Sequence, residues 1–152
     1  MLSVKEVAAR LGVCTATVYA LVERGELAHI RAIVLDHDGN LIDTAALAAM
    51  AALSACRMPK VEDKKIIRGE FVGSLPLKDK VVTCTYGKHA GKTFLDPTFD
   101  EERGMDCRLT LATTPECLCA AQKGGWGSVT EREILELTDL SIKKGNDLRS
   151  LL

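Results

Sequence analysis

Strong net charge is missing from this sequence of 152 residues: 20 Lys and Arg against 21 Asp and Glu leave a formal net charge of -1. With the two signs interspersed, a protein that holds nucleic acid mainly through its own electrostatic field is excluded, and any such contact must be local or shared. Long apolar runs are missing too. The longest, around Ala45 to Ala52, is alanine-rich and far short of a membrane span, and the amino terminus reaches Lys5 and Glu6 without the apolar stretch of a secretory signal. These absences imply a soluble, cytoplasmic protein with no membrane partner. Metal-ligand spacing is the third absence. Cys14, Cys56, Cys84, Cys107, Cys117 and Cys119 include one close pair, and His29, His37 and His89 are scattered, whereas zinc ribbons need paired knuckles. No metal and no cofactor is expected. The thiols read as reduced, and the pair Cys117 and Cys119 as buried strand cysteines. No repeat of fixed period is visible.

What is there is an apolar content of 47%, enough at this length for one core, with or without a small appendage. Ser3 and Glu6 form a capping box ahead of Val7, Ala8 and Leu11, and the helix they predict ends at Gly12. Thr15 to Glu23 predicts a second short helix stopped by Arg24-Gly25. Leu27 to Asp36 predicts a strand, and Asp38-Gly39-Asn40 a turn. The next helix, Ala45 to Cys56 capped by Asp43 or Thr44, is apolar on nearly every face and is expected to be buried on several sides. Arg57 to Lys65 reads as a basic connector. Strands are predicted at Ile66 to Val72, Val81 to Tyr86 and Lys92 to Leu95, followed by an acidic segment at Asp100 to Glu102. A hairpin then joins Leu109–Thr113 to Cys117–Gln122, and Gly124-Gly125-Trp126-Gly127 leaves the sheet. Thr130 and Glu133 form a second capping box for a helix from Glu131 to about Leu152, with Ile134, Leu137, Leu148 and Leu151 on one stripe and Gly145 as its weak point.

The segment LSVKEVAARLGVCTATVYALVERGEL resembles the small excisionase-type and MerR-like DNA-binding domains, in which a second helix enters the major groove. Val7, Ala8, Leu11, Gly12, Thr17, Val18, Tyr19 and Leu21 fall where that family packs its two helices. Its DNA chemistry is thin, because Ala16 and Ala20 stand where the family carries polar or basic side chains. Thr15 and Arg24 remain as candidate contacts. Residues 1–29 are therefore read as a helix-turn-helix that either touches DNA or packs as a plain helical hairpin.

The segment AIVLDHDGNLIDTAALAAM invites three readings. A calcium loop counted from Asp36 would need Gly at Leu41 and a bidentate acid at Leu47, which rules it out. The haloacid-dehalogenase phosphatases open on an apolar strand and D-x-D-G-T-L-x-D, which Asp36, Asp38, Gly39, Leu41 and Asp43 match, with Asp36 as nucleophile and Asp38 as acid and base. Asn40 replaces that family's phosphate-gripping Thr, and no convincing later metal motif follows.

The third reading accounts for the rest of the chain. In the ribonuclease PH family, especially the non-catalytic ring subunit of archaeal exosomes, a strand reading VLDHDGNLIDAA leads into an alanine-rich helix. Ile33 to Ala52 resembles it closely, and the resemblance continues through Arg57-Met58-Pro59, Leu95-Asp96-Pro97-Thr98, Glu101-Glu102, Met105-Asp106, Leu109-Thr110-Leu111 and Gln122-Lys123-Gly124-Gly125. It implies an α+β chain: a small helix-turn-helix at 1–29, then a partial ribonuclease PH-like domain at 30–152, a mixed sheet with packed helices.

Catalytic members of that family are phosphorolytic and use a carboxylate near the start of a late strand. The ungapped register puts Arg108 in that slot, where a guanidinium cannot exchange a proton near neutral pH. A gap of two residues brings in Asp106 instead. The family's fold has two similar halves, and its phosphate-holding residues come largely from the first half or from the neighbouring subunit; the helix-turn-helix stands here in place of that first half. The resemblance thus implies a non-catalytic structural subunit, or fragment, of an exosome-like complex for 3'-5' RNA processing and degradation. Its partners would be other ribonuclease PH-family ring subunits, RNA through the complex, and DNA if residues 1–29 bind it. Alternative readings are a DNA-binding regulator and the phosphatase. Lys64, Lys65 and Arg68, with Arg57 and Lys60, form a broken basic cluster that could touch RNA. Lys123 to Gly127 lacks the phosphate-loop pattern.

Overall fold

A computed structural model of the chain describes residues 4–23, 30–63 and 65–152. It contains two compact units, Met1–Arg31 and Ala32–Leu152. In the first, α1 (Val4–Leu11) and α2 (Thr15–Glu23) form the expected helix pair. Gly12 ends α1 at a φ of +66°, its N–H on Ala9 O and that of Val13 on Ala8 O, a Schellman closure that suits a residue without Cβ. Ala8 and Val18 are buried. Leu11 and Tyr19, expected in the same packing, are about half exposed, because helices this short share one narrow contact stripe. Ser3, Arg24 and Gly25 lie outside the described residues.

The second unit has the expected α+β organisation. Four antiparallel strands, β3 (Val82–His89), β4 (Lys92–Leu95), β5 (Cys107–Thr113) and β6 (Leu118–Gly125), lie in the order β4-β3-β5-β6. Thr85 reaches Asp43 of α3 (Leu41–Ala55), while its neighbour Tyr86 reaches Ser141 of α5 (Glu131–Arg149). The helix α5 packs across one face of the sheet, on β3 and β5, while α3 lies against β3, with Asp43 on the Thr85 N–H. On the α5 side Cys84, Tyr86, Leu109, Leu111 and Leu137 form the core, with Val129 and Ile134 against it. The capping box of Thr130 and Glu133 starts α5 as expected. At the other end Arg149 donates to Lys80 O and Thr113 O, pinning the helix to the sheet. Gly145 is packed rather than weak: an added Cβ would lie 3.0 Å from Val82 Cγ2. Leu151 lies past the helix and is exposed.

Several expectations need correction. Residues 30–36 form no strand, while Leu27 to His29 lie outside the described residues. A strand exists through its ladder, and no described strand pairs with this segment. The N-cap position of α3 is Asn40, whose side chain makes no capping hydrogen bond, rather than Asp43 or Thr44. One face of it is buried, at Ala49 and Met50, and Ala48, Ala51 and Ala52 are exposed, because β3 is the main described element against it. The expected connector is β1 (Arg57–Glu62), paired with β2 (Lys65–Ser74) in a separate two-stranded sheet whose register shifts around Pro59. The acidic segment is a short helix, α4 (Phe99–Gly104), started by a capping box of Thr98 and Glu101. Gly124 and Gly125 stay in the sheet opposite Arg108 and Cys107. Cys117 and Cys119 are exposed because β6 is an edge strand, whereas Cys84 and Cys107 are buried.

Candidate functional site

The turn Asp38-Gly39-Asn40 is the most densely bonded polar region of the second unit. Gly39 sits at φ +94°, where a Cβ would fall 2.5 Å from the backbone carbon of Thr98, so the turn lies directly on the loop before α4. The Phe99 N–H donates to Asp38 O at 2.9 Å. Asn40, 6% exposed, donates through Nδ2 to Asp43 Oδ2 at 2.9 Å and Asp96 Oδ1 at 2.6 Å, and through its backbone N–H to Glu102 Oε1. Asp43 also accepts from the Thr85 N–H at 2.6 Å and Thr85 Oγ1 at 2.9 Å, and Thr85 Oγ1 meets Thr110 Oγ1 at 2.9 Å. Since a carboxylate only accepts, the Thr85 hydroxyl must donate to Asp43, and the Thr110 hydroxyl must donate to Thr85.

This geometry corrects the phosphatase reading. Asp36 and Asp38 are exposed, not seated at the end of a sheet strand. Asp36 accepts from the neighbouring His37 N–H. Asp43, the third matching acid, spends its oxygens on the backbone and hydroxyl of β3. The motif is a structural clasp that joins α3, β3 and the loop before α4. The bonds that Asn40 and Asp43 make to Thr85, Asp96 and Glu102 span 42 to 62 residues in sequence, so no local spacing could have revealed them.

The two candidates for the late-strand slot lie at the other end of β5. Asp106 precedes the strand, with half of its side chain exposed. Its N–H donates to Lys88 O, its Oδ2 accepts from the Ala90 N–H at 2.8 Å, and its carbonyl accepts from the Gly127 N–H. The His89 Nδ1 is 3.7 Å from Oδ1. The carboxylate therefore braces the turn between β3 and β4. It also borders a surface cleft of about 650 Å³ lined by Lys88, Met105 and the fully exposed Trp126. Arg108 stands in register between Gly87 of β3 and Gly124 of β6. Its Nε is buried with no hydrogen-bond partner among the described residues. Arg108 can offer N–H donors there but cannot accept a proton.

The candidate nucleic-acid contacts are divided between the two units. Thr15 is exposed at the start of α2 in the first unit, while Arg24 and Lys64 lie outside the described residues. Lys65 and Arg68 are exposed on β2, where Lys60 is already paired with Glu62 and Glu70. Sequence reasoning missed the ion pair of Lys88 and Glu133, 2.6 Å long, which ties β3 to α5. That hydrogen bond from Lys88, reinforced by the Thr130 backbone, holds the Glu133 carboxyl at a pKa of about 2. Burial pushes the Cys84 thiol and the Tyr86 phenol up, so neither ionises near neutral pH. No described helix is long and apolar enough to cross a membrane, and no metal-binding cluster occurs among the described residues.

A four-stranded antiparallel sheet with packed helices is shared with a known class. Residues 79–144 match the family described as 3' exoribonuclease family, domain 2. Residues 1–52 match a family described as helix-turn-helix domain. Within the class, the chain is similar to exosome components. The chain is 42% identical over 125 residues to the exosome complex component Rrp42 of Thermococcus gammatolerans, covering 78% of this chain and 45% of that protein. It is 37% identical over 115 residues to the Rrp42 of Methanothermobacter thermautotrophicus, covering 73% and 42%. Among solved structures it superposes on a chain of the Archaeoglobus fulgidus exosome with RNA bound to the active site, with a TM-score of 0.65 at 36% identity, covering 76% of this chain and 44% of that one. Rice Rrp46, at 22% identity and a TM-score of 0.51, shares the fold. The chain spans less than half the length of the curated relatives it matches.

Proposed function

We propose that this chain is a non-catalytic structural component, whole or partial, of an exosome-type complex for 3'-5' RNA processing and degradation. It would work in the cytoplasm beside other ribonuclease PH-family ring subunits and meet RNA through the complex. The observation that carries this is the likeness to Rrp42 across three quarters of the chain. Two features support the absence of turnover. Arg108 offers no proton acceptor, and Asp106 is engaged in bracing a turn. Residues 1–29 are read as a separate module and 30–152 as the half domain. DNA is left out of the proposal, since exposed Thr15 is flanked by Ala16 and the helix continues to Ala20, which offer only methyl contacts.

The test uses the purified full chain, catalytic ring subunits of the family, single-stranded RNA and inorganic phosphate. Co-elution with the ring subunits is expected, with no nucleoside diphosphate released by the chain alone. A monomer without affinity for those subunits, or diphosphate release that Asp106→Asn abolishes, would falsify the proposal.

A further inference from the structure

The strand β3 has eight residues and β4 four, so the ladder between them covers only Tyr86 to His89 of β3. Thr85 spends the same edge within the fold: its N–H goes to Asp43 and its carbonyl takes the Asp96 N–H. Backbone groups alternate in direction along a strand, so Thr83 turns its own N–H and C=O to that edge. No described strand pairs there. A cavity of about 310 Å³ adjoins it instead, between α3, the exit of β4 and the last turns of α5. Its walls are apolar at Leu47, Val82, Leu95 and Leu148, and its charged lining is mainly acidic, Asp43, Asp96 and Asp147 against Lys144. Two further lining groups carry oxygens without partners. Asn40 is 6% exposed, its Nδ2 donates to Asp43 and Asp96, and its Oδ1 accepts from no described residue. Thr83 Oγ1 is likewise buried and unpaired among the described residues.

A buried carbonyl oxygen without a donor is costly, and carboxylates only accept. The chemistry that complements this lining is therefore an N–H donor with positive charge on an apolar stem, and the volume is at the small end of ligand sites. The field has the same sign at Cys84 in the cavity wall: burial first, then the charge of Asp43 and more weakly that of Asp96, pushes its thiol up. An anion is opposed by three carboxylates, and an uncharged apolar ligand leaves Asn40 Oδ1 unpaired. A bare metal ion makes no use of the leucine walls and finds no ligand cluster among the described residues. We propose that this cavity binds a linear aliphatic diamine, with one ammonium at Asp96, Asn40 and Thr83, the methylene stem along Leu47, Leu95 and Leu148, and the second ammonium at Asp147. The Asn40 and Thr83 oxygens lie below the cavity surface, so a donor reaches them as their side chains turn toward it. This site is separate from the structural role proposed above and does not depend on it.

The experiment titrates the full chain with putrescine, hexamethylenediamine and butylamine, read by calorimetry and by amide shifts in nitrogen-15 spectra. Saturable binding is expected, with shifts confined to residues 40–47, 82–85, 95–96 and 144–148, and with the better diamine about tenfold or more tighter than butylamine. Asp147→Asn, on the exposed side of α5, should weaken that diamine about fivefold and leave butylamine unchanged. Lys144→Ala, which removes the opposing cation, should tighten both diamines about twofold or more. Thr44→Trp places a ring at an exposed lining position and should weaken all three amines about tenfold or more, with little change in melting temperature. Leu148→Phe occludes the cavity from the α5 side and should do the same, which keeps the test valid if the Trp variant is destabilised. The inference is overturned if no amine saturates, if the shifts fall elsewhere on the surface, or if both occluding variants bind as the wild type does. It is likewise overturned if glutarate binds as well as the diamines, or if magnesium at equal concentration shifts the same amides as strongly, which would reduce the site to a patch of acids.

Discussion

At the scale of single residues, Asp43 shows how a motif can carry one family's chemistry in its letters and another's in its bonds. Its carboxylate accepts from the Thr85 N–H, the Thr85 hydroxyl and Asn40 Nδ2, and Thr85 is fully buried. Asp43→Asn can keep the oxygen that serves Thr85 N and Asn40. It then turns an NH₂ toward the Thr85 hydroxyl, which must reverse and donate to Thr110 Oγ1 instead. The charge-assisted character is lost while most partners remain, so a cost of about 1–2 kcal/mol is expected. Asp43→Ala strands two donors and opens a void, for about 3 kcal/mol or more. Urea unfolding of both variants checks the order. Equal losses would mean that the clasp acts by volume and not by its bonds.

Among elements, α5 is the one most legible in the sequence, and Glu133 explains why. Its capping-box partner Thr130 lies three residues away, so the signal is local. The other job of Glu133, holding Lys88 of β3, crosses 45 positions and leaves no local trace. The same division runs through the whole fold. The strands β3, β4 and β5 and the helices α1, α2 and α5 were readable from capping, spacing and turn residues. The strand β1 was not, because its apolar positions are sparse and Pro59 interrupts them, and its pairing is set by register shifts on either side of that proline. Residues 30–36 failed in the opposite sense: their strand propensity is real, but no described ladder receives them. For Glu133 the linkage has a definite sign. Its folded pKa, about 2, lies below the ordinary 4.5, so its contribution is complete above pH 4.5 and is lost as pH falls toward 2. Glu133→Gln can preserve the capping box while breaking the ion pair. The difference in melting temperature between wild type and Glu133→Gln should therefore be constant from pH 7 to about 5 and shrink toward pH 2. A difference that does not change across that range would remove Lys88 as the cause.

For the whole molecule, stability should be distributed unevenly, and the distribution follows from which strands have neighbours. The strands β3 and β5 each have a neighbour on both sides and carry the buried core, whereas β1 and β2 pair only with each other. That hairpin also leaves Val61, Ile66 and Phe71 more than half exposed. A two-stranded sheet without a covered apolar face is marginal in water, and regions of this kind open locally at free energies well below global unfolding. Hydrogen exchange on the free chain should accordingly rank the amides of β3 and β5 slowest, at the global limit. Those of β1 and β2 should exchange about a hundredfold faster or more, which corresponds to roughly 3 kcal/mol of difference in opening free energy. If the hairpin amides were as slow as those of β5, the hairpin would be covered in the free protein, and its exposed apolar side chains could not be a surface left for assembly. If they are fast in the free chain and slow in complex with ring subunits, the hairpin orders on binding, and the marginal stability of this element is part of how the chain joins its complex.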